Sequence, residues 1–208
     1  MATVAAIILC GYLIGSVPAG YLLAKMAGVD IRTVGSGNIG ATNVLRTLGK
    51  RYGYSVFAFD FLKGIAAVKL SILLDRVGPA GLVNSELAAI LGGTCSVLGH
   101  SYPVWLKFRG GKGVATSGGV IFGLMPIIAA IAALIWIILF YSTGYVSLAS
   151  VVAICAIPIV AGISLATGHL DSPVLFYFSL CLAVIVTIRH RSNLSRLVRG
   201  KEWRFDRR

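Results

Sequence analysis

The residues whose types and spacing could do chemistry begin with the stretch GSGNIGATNVLR, at positions 35–46. Its glycines at 35, 37 and 40 follow the spacing G-x-G-x-x-G. Glycine permits positive φ and lets backbone N–H groups approach an anion closely. Arg46 adds a planar guanidinium suited to phosphate. The neutral donors of this stretch are Ser36, Asn38, Thr42 and Asn43. The pattern indicates an anion site, and the alternative is a turn of small residues between two helices.

Two nucleotide-binding interpretations of this stretch fail on their context. A dinucleotide site needs a strand before the glycines, a helix after them and an acidic residue about 20 positions further on. Here an apolar run precedes the glycines, and the next acid, Asp60, lies inside another apolar run. A Walker loop is excluded because Lys112 is followed by Gly113 and not by serine or threonine.

Three further stretches are polar, and two of them are also basic. The stretch 99–116 reads GHSYPVWLKFRGGKGVAT and contains Lys112, residues 145–150 read YVSLAS, and residues 189–193 read RHRSN. Together they offer hydroxyls, amides, glycine backbone and cations. We expect these stretches to lie at one membrane face, and their proximity in space is a hypothesis.

Metal ligands are scarce in these stretches. Asp30 and the tail acids Glu202 and Asp206 are the only carboxylates near them, and no C-x-x-C or H-E-x-x-H pattern occurs. Metal-dependent phosphoryl transfer normally uses carboxylates to hold the ion. The sequence therefore predicts no metal and no cofactor, and favours a substrate that already carries a good leaving group.

The composition is that of an integral membrane protein. Hydrophobic residues make up 57% of the chain and charged residues 12%, whereas soluble domains carry about 25% charged residues. We predict one all-α domain over residues 1–208, with a basic tail at about 190–208 and a helix break between Gly123 and Pro126. The seven predicted spans are 3–24, 53–74, 84–100, 112–124, 126–142, 146–164 and 172–189. A five-span arrangement is the alternative.

The basic residues predict the orientation. Of the 19 lysines and arginines, 16 lie after the first span, after the third or in the tail. Because lysine and arginine favour the cytoplasmic side, the N-terminus is predicted outside and the C-terminus inside. Orientation and anionic lipid headgroups explain the net charge of +12, so nucleic acid is not expected as a partner.

Two charges fall inside a predicted span. Asp60 and Lys63 are three residues apart, a spacing that allows mutual neutralisation on a helix. Intramembrane charges often indicate function, but a structural or supporting pair is the favoured interpretation. For His100, orienting the second glycine-rich stretch and capping a helix end both remain open.

Taken together, the motifs resemble those of the bacterial membrane acyl-phosphate:glycerol-3-phosphate acyltransferases. The resemblance covers nearly the whole chain and includes GSGNIGATNVLR, GH-x-x-P followed by F-x-GGKGVAT, YVSLAS and RH-x-x-N. It implies seven spans and transfer of an acyl chain from acyl phosphate to the 1-hydroxyl of glycerol 3-phosphate. The products are lysophosphatidic acid and phosphate, in the first step of phospholipid synthesis.

The resemblance also implies roles for individual residues. Ser36, Arg46 and Lys112 would contact phosphate groups, with Ser150 beside them and His190 and Asn193 as a polar pair. Glycine backbone N–H groups would come from Gly110, Gly111 and Gly113, and further phosphate-binding residues would be Gly35, Gly37, Asn38, Thr42 and Asn43. No side chain would act as a nucleophile, and the phosphate of acyl phosphate would accept the hydroxyl proton.

The implied setting is the bacterial cytoplasmic (inner) membrane. The expected partners are membrane lipids, the two substrates, and a functional link to the enzyme that makes acyl phosphate. The main alternative function is a small membrane transporter of anions or phosphate esters. A CDP-alcohol phosphotransferase would need a cluster of aspartates, which the sequence lacks.

Overall fold

The computed structural model describes residues 1–78 and 84–205. In these ranges the chain is helical and contains no strand, which confirms the all-α prediction for the described residues. The helices are α1 (Ala2–Ser16), α2 (Ala19–Met26), α3 (Ala41–Leu48), α4 (Lys50–Val77), α5 (Ser85–Ser101), the 3₁₀ turn Val104–Leu106, α6 (Val114–Leu124), α7 (Pro126–Thr143), α8 (Val146–Ala166), α9 (Pro173–Arg189) and α10 (Arg191–Val198).

The chain divides into two compact units, Met1–Leu124 and Met125–Arg208. The predicted helix break is confirmed at this boundary, because α6 ends at Leu124 and α7 begins at Pro126. Proline suits the first turn of a helix, where its missing N–H would have no intrahelical partner.

In the first unit, α1, α4, α5 and α6 pack through glycines. A Cβ on Gly15 of α1 would overlap the backbone of Ser96 on α5. A Cβ on Gly64 of α4 would likewise meet the carbonyl oxygen of Thr116 on α6. Small residues allow helix backbones to approach closely inside a membrane, so these positions determine how near α5 and α6 lie to their neighbours.

In the second unit, α8 packs against both α7 and α9. The chain bends by 61° between α9 and α10. His190 lies at this bend, between the last residue of α9 and the first of α10.

Three helical segments in the described residues are long and apolar enough to cross a membrane: Ala2–Met26, Pro126–Thr143 and Val146–Ala166. A fourth is obtained if the bent pair Pro173–Arg189 and Arg191–Val198 counts as one span. Every predicted span overlaps helix in the structure, but the first is interrupted at Val17–Pro18. The helix α5 has only 17 residues and α6 only 11. The number of crossings therefore stays a prediction.

Candidate active site

The first glycine-rich stretch is held by the side chain of Asn43. Its Oδ1 accepts the backbone N–H of Ser36 at 2.9 Å, and its Nδ2 donates to the carbonyls of Asn38 at 2.9 Å and Val34 at 3.1 Å. Asn43 is 2% exposed. Its amide is thus engaged within the protein, so Asn43 organises the stretch in this structure.

The backbone of this stretch requires glycine at two positions. Gly35 and Gly37 have φ of +59° and +67°, a region in which residues with a Cβ are strained. A Cβ on Gly35 would also overlap Oδ1 of Asn43. The resulting turn leaves Ser36 exposed, where its hydroxyl is accessible to a ligand.

The short helix α3 carries the remaining predicted residues of the first stretch. Asn38 Oδ1 accepts the N–H of Gly40, just before α3 begins, at 2.9 Å. Thr42 and Arg46 are four residues apart on α3 and both are half-buried. Side chains with this spacing lie on the same helical face, so Thr42 and Arg46 form a neighbouring hydroxyl and cation.

A second arginine in this region is already paired. Arg32 Nη2 lies 2.7 Å from Asp30 Oδ2, and its guanidinium packs over the ring of Tyr21 at 4.7 Å. The side-chain hydrogen bond from Arg32 lowers the pKa of Asp30 to about 2. Asp30 is therefore ionised at neutral pH and partly neutralises Arg32.

The second glycine-rich stretch folds back onto the end of α5. The N–H of Gly110 donates to the carbonyl of Ser101 at 3.1 Å, and that of Gly111 to the carbonyl of His100 at 3.0 Å. These two N–H groups are engaged at the helix end, so contact with a phosphate would require them to leave it. Gly113 has φ of +84°, and the half-buried Lys112 lies just before α6.

The two glycine-rich stretches pack on one apolar cluster. Leu106, from the 3₁₀ turn of the second stretch, shares this cluster with Ile39 and Val44 of the first. A Cβ on Gly20 of α2 would overlap the carbonyl oxygen of Ile39. The packing of α2 against the first stretch, together with Leu106, holds the two stretches on a common base in the first unit.

In the second unit, Ser150 has a buried hydroxyl with an identified donor. Trp136 Nε1 lies 3.1 Å from Ser150 Oγ, and Ser150 is 3% exposed. The indole of Trp136 also stacks on Phe140 with a centroid distance of 5.0 Å. No spacing in the sequence indicated this bond between Trp136 and Ser150.

His190 is buried at the bend between α9 and α10, with Nδ1 2.8 Å from the carbonyl of Val186. Because a carbonyl only accepts hydrogen bonds, Nδ1 carries the proton of the ring. A neutral His190 therefore has its lone pair on Nε2.

Asn193 is held by Glu202, a residue that the sequence analysis treated only as a tail charge. Asn193 Nδ2 donates to Glu202 Oε1 at 2.6 Å, and Arg196 Nε donates to Oε2 at 2.7 Å. Burial raises the pKa of Glu202, but hydrogen bonds from Asn193, Ser147 and Arg196 outweigh it and hold the pKa below its ordinary value. The sequence offered only a weak signal for this contact, a carboxylate nine residues after Asn193 in the basic tail.

The family is identified by comparison with known proteins. A family model described as glycerol-3-phosphate acyltransferase matches residues 5–200. The chain belongs to this family. It is 42% identical over 199 residues to the glycerol-3-phosphate acyltransferase of Aquifex aeolicus (strain VF5), covering 96% of this chain and 97% of that protein. It is 44% identical over 210 residues to that of Desulforudis audaxviator (strain MP104C), covering 99% and 98%.

Solved structures give the same result for the fold. The chain resembles crystal structures of PlsY (YgiH), an integral membrane glycerol 3-phosphate acyltransferase, in a glycerol 3-phosphate form and a lysophosphatidic acid form. The TM-scores are 0.85 and 0.82, each at 38% identity and covering 98% of this chain; the matches cover 96% and 95% of the respective PlsY chains. The resemblance seen in the sequence motifs is confirmed, as are the membrane character and a role in phospholipid synthesis.

In this glycerol-3-phosphate acyltransferase, the predicted site residues fall in both units. Ser36, Arg46 and Lys112 belong to Met1–Leu124, whereas Ser150, His190 and Asn193 belong to Met125–Arg208. Within residues 1–78 and 84–205, no three His, Cys, Asp or Glu side chains group as metal ligands. Independence from metal stays a prediction that a chelator tests.

Proposed function

We propose that this protein is a bacterial inner-membrane enzyme that acylates the 1-hydroxyl of glycerol 3-phosphate with acyl phosphate, giving lysophosphatidic acid and phosphate. The observation that carries the proposal is the family match over residues 5–200. The related PlsY structures, in glycerol 3-phosphate and lysophosphatidic acid forms, support this substrate and product.

The reaction needs little acid–base help from the protein. The hydroxyl oxygen of glycerol 3-phosphate attacks the carbonyl carbon of acyl phosphate, and the bond from that carbon to the phosphate oxygen breaks. The phosphate leaves with the electron pair and accepts the hydroxyl proton. Holding the two reactants in attacking geometry supplies about 7–11 kcal/mol in the best cases, so positioning is the protein's main task.

Positioning requires that two anions be held together against their repulsion. We assign Arg46 and Lys112 to the phosphate groups, because both cations lie in glycine-rich stretches built on one apolar cluster. We assign the exposed hydroxyl of Ser36 to phosphate binding together with these two cations.

The residues of the second unit are assigned to the reacting centre. Because Trp136 donates to Ser150 Oγ, the O–H of Ser150 remains a donor for a phosphate or carbonyl oxygen of the substrate. His190, with its lone pair on Nε2, and Asn193 complete the set.

We infer seven crossings with the N-terminus outside and the polar stretches at the cytoplasmic face. The 11 residues of α6 span about 16 Å, roughly half of the 30 Å hydrocarbon layer. The second glycine-rich stretch must therefore enter the membrane if α6 is a crossing. Labelling of single cysteines from either side of sealed vesicles tests this topology.

The experiment that tests the activity compares acyl donors. Purified protein in lipid should convert glycerol 3-phosphate to lysophosphatidic acid with long-chain acyl phosphate, both with and without EDTA. No product, or product only with acyl-CoA, would overturn the proposal. Product that disappears on adding EDTA would overturn the metal-independent mechanism.

A transporter of phosphate esters is the second candidate. Interrupted helices near buried charges are typical of transporters, and the chain here has a break at Val17–Pro18 close to Lys63. The family match favours the enzyme. Transport of glycerol 3-phosphate into proteoliposomes, in the absence of acyl phosphate, would revive the alternative.

A further inference from the structure

A buried ionic cluster lies next to Gly111, in the glycine-rich part of the second stretch. Asp60 and Lys63 on α4 are 2% and 5% exposed, and His100 on α5 is 5% exposed. Lys63 Nζ lies 2.6 Å from Asp60 Oδ1 and 3.0 Å from His100 Nδ1. The expected mutual neutralisation of Asp60 and Lys63 is thus present, and His100 is a third member of the cluster.

All three hydrogens of the Lys63 ammonium have acceptors. The third is the carbonyl of Val17, 3.0 Å away, at the point where Pro18 interrupts the chain between α1 and α2. An ammonium group offers three donors and no acceptor. The cluster therefore ties α4, α5 and the break between α1 and α2 to one cation.

This arrangement determines the tautomer of His100. Because the ammonium donates, His100 Nδ1 must accept, and the proton of a neutral ring lies on Nε2. Asp60 Oδ1 is 3.4 Å from Nδ1, longer than an ordinary N–H···O bond. Lys63 is therefore the partner of Nδ1, and the Nε2–H of His100 is directed elsewhere.

Nε2 of His100 faces the glycine-rich stretch. A Cβ added to Gly111 would overlap this atom, and the nearest three atoms it would meet all belong to the His100 ring. The carbonyl of His100 also accepts the N–H of Gly111. His100 thus supports Gly111 through both its ring and its backbone, one residue before Lys112.

We propose that Asp60, Lys63 and His100 form a positioning network that holds residues 107–113, and with them the ammonium of Lys112, in the geometry that binds a substrate phosphate. The network touches no substrate. Its role in catalysis rests on the proposed acyltransferase function. Burying an ion pair costs free energy and adds stability only when its geometry and hydrogen bonds compensate. Charges inside a membrane protein are therefore more readily explained by a functional role, such as positioning, than by stability.

Three variants and a matched control test the network. Asp60→Asn removes the charge partner of Lys63. His100→Ala removes the ring, whereas His100→Gln can place an amide N–H near the position of Nε2. Lys69→Met is the control, because Lys69 is an exposed cation on the same helix, α4.

In the acyltransferase assay, His100→Ala and Asp60→Asn should raise the KM of a phosphate-bearing substrate by about tenfold or more, the effect of one lost hydrogen bond to a charged group. kcat should fall less, His100→Gln should recover part of the loss, and Lys69→Met should behave as wild type. If His100→Ala and Asp60→Asn leave KM unchanged and lower kcat in parallel with thermal stability, the proposal is overturned in favour of a purely structural cluster.

Hydrogen exchange measures the positioning without relying on activity. Amide exchange of the peptide covering residues 107–113 should be faster in His100→Ala and Asp60→Asn than in wild type, and unchanged in Lys69→Met. Unchanged exchange in this peptide would overturn the network even if the enzyme is active. Faster exchange in a protein whose wild type makes no lysophosphatidic acid would uphold the network and overturn the proposed function.

Substitution of Gly111, alone and combined with His100→Ala, tests whether the His100 ring supports Gly111 directly. Gly111→Ala should displace the segment, because the new Cβ would overlap the imidazole ring. In the His100→Ala background the same substitution should have no further effect on the exchange of residues 107–113. An equal effect in both backgrounds would show that the ring does not support Gly111.

Discussion

At the scale of single residues, the hydrogen bond from Trp136 determines whether the Ser150 hydroxyl acts as a donor or an acceptor. A serine hydroxyl both donates and accepts, but an indole N–H only donates. The bond from Trp136 therefore uses a lone pair of Ser150 Oγ, and we propose that the Ser150 proton is donated to the substrate. In this proposal Trp136 acts through Ser150, and the same ring packs on Phe140, which fixes its orientation.

Trp136→Phe should keep the aromatic packing and remove the donor. We expect kcat to fall about tenfold, as for one lost neutral hydrogen bond. The decisive comparison is a double-mutant cycle, in which Trp136→Phe should cause no further loss in a Ser150→Ala background. Trp105→Phe is the control, since Trp105 is 62% exposed. Independent, additive losses would show that Trp136 does not act through Ser150.

Glu202 is the residue that anchors Asn193. Its pKa is lowered in the folded protein, so its ionisation stabilises the fold above the ordinary glutamate pKa. That contribution is lost as the pH falls through the lowered value. Because Asn193 and Arg196 both donate to the carboxylate, its loss should loosen α10.

Glu202→Gln should therefore melt at a lower temperature than wild type at pH 7, and the difference should shrink as the pH falls below about 4.3, the ordinary glutamate pKa. Thermal melting in detergent at several pH values measures this. Asp171→Asn, which changes an exposed acid of the same unit, serves as control. A pH-independent difference would show that shape and not charge explains the effect.

At the scale of helices, glycines determine how closely α1 and α5 approach. Gly11 and Gly15 face the backbone of Gly92 and Ser96 with no room for a Cβ. The close approach holds α5 in place, and the end of α5 carries His100 and the acceptors of the second glycine-rich stretch.

Gly15→Ala should lower the melting temperature and the yield of folded protein, because its Cβ would overlap the Ser96 backbone. Gly118→Ala is the matched control on α6, where the Cβ would lie 3.6 Å from the Phe61 ring, an ordinary contact. Alanine is favoured over glycine in a helix by about 1 kcal/mol, so the control should be neutral or stabilising. Equal stability of the two variants would contradict this account of the α1–α5 packing.

Much at this scale could be predicted from the sequence, because it depends on local signals. Pro126 marks the start of α7, and apolar runs mark α4, α5, α6, α8 and α9 to within a few residues. The short helices α3 and α10 lie in polar stretches, where no span was predicted. The Asp60–Lys63 pair follows from its spacing of three on one helix. The contacts of Lys63 with His100, Trp136 with Ser150 and Asn193 with Glu202 join residues from different elements. They depend on tertiary packing, which no spacing reveals.

For the glycine motifs, too, the sequence predicted the kind of site but not the tertiary contacts. Their composition indicated an anion site, but it could not show that Asn43 is occupied by the loop itself or that the N–H groups of Gly110 and Gly111 cap α5. The backbone N–H groups of Ser36, Gly110 and Gly111 donate to acceptors within the protein. The cations and hydroxyls, whose side chains extend further, are the better candidates for contact with substrate.

At the scale of the whole molecule, the proposed site residues are distributed over two compact units. The first unit, Met1–Leu124, contains the cations assigned to phosphate, and the second, Met125–Arg208, contains the hydroxyl, imidazole and amide assigned to the reacting centre. A reaction between a lipid-soluble acyl group and a polar phosphate ester suits a protein that lies in the membrane. The central claim is that a cation from the glycine-rich stretches holds the substrate phosphate.

The rate of lysophosphatidic acid formation from acyl phosphate by Lys112→Ala protein tests that claim most directly. Lys107→Asn is the control, because Lys107 is an exposed cation of the same stretch with φ of +51°, and asparagine tolerates that conformation. We expect Lys112→Ala to lose about 100-fold or more in rate, as when a donor to developing charge is removed, while Lys107→Asn stays near wild type. A folded Lys112→Ala enzyme with a near-normal rate would contradict the claim.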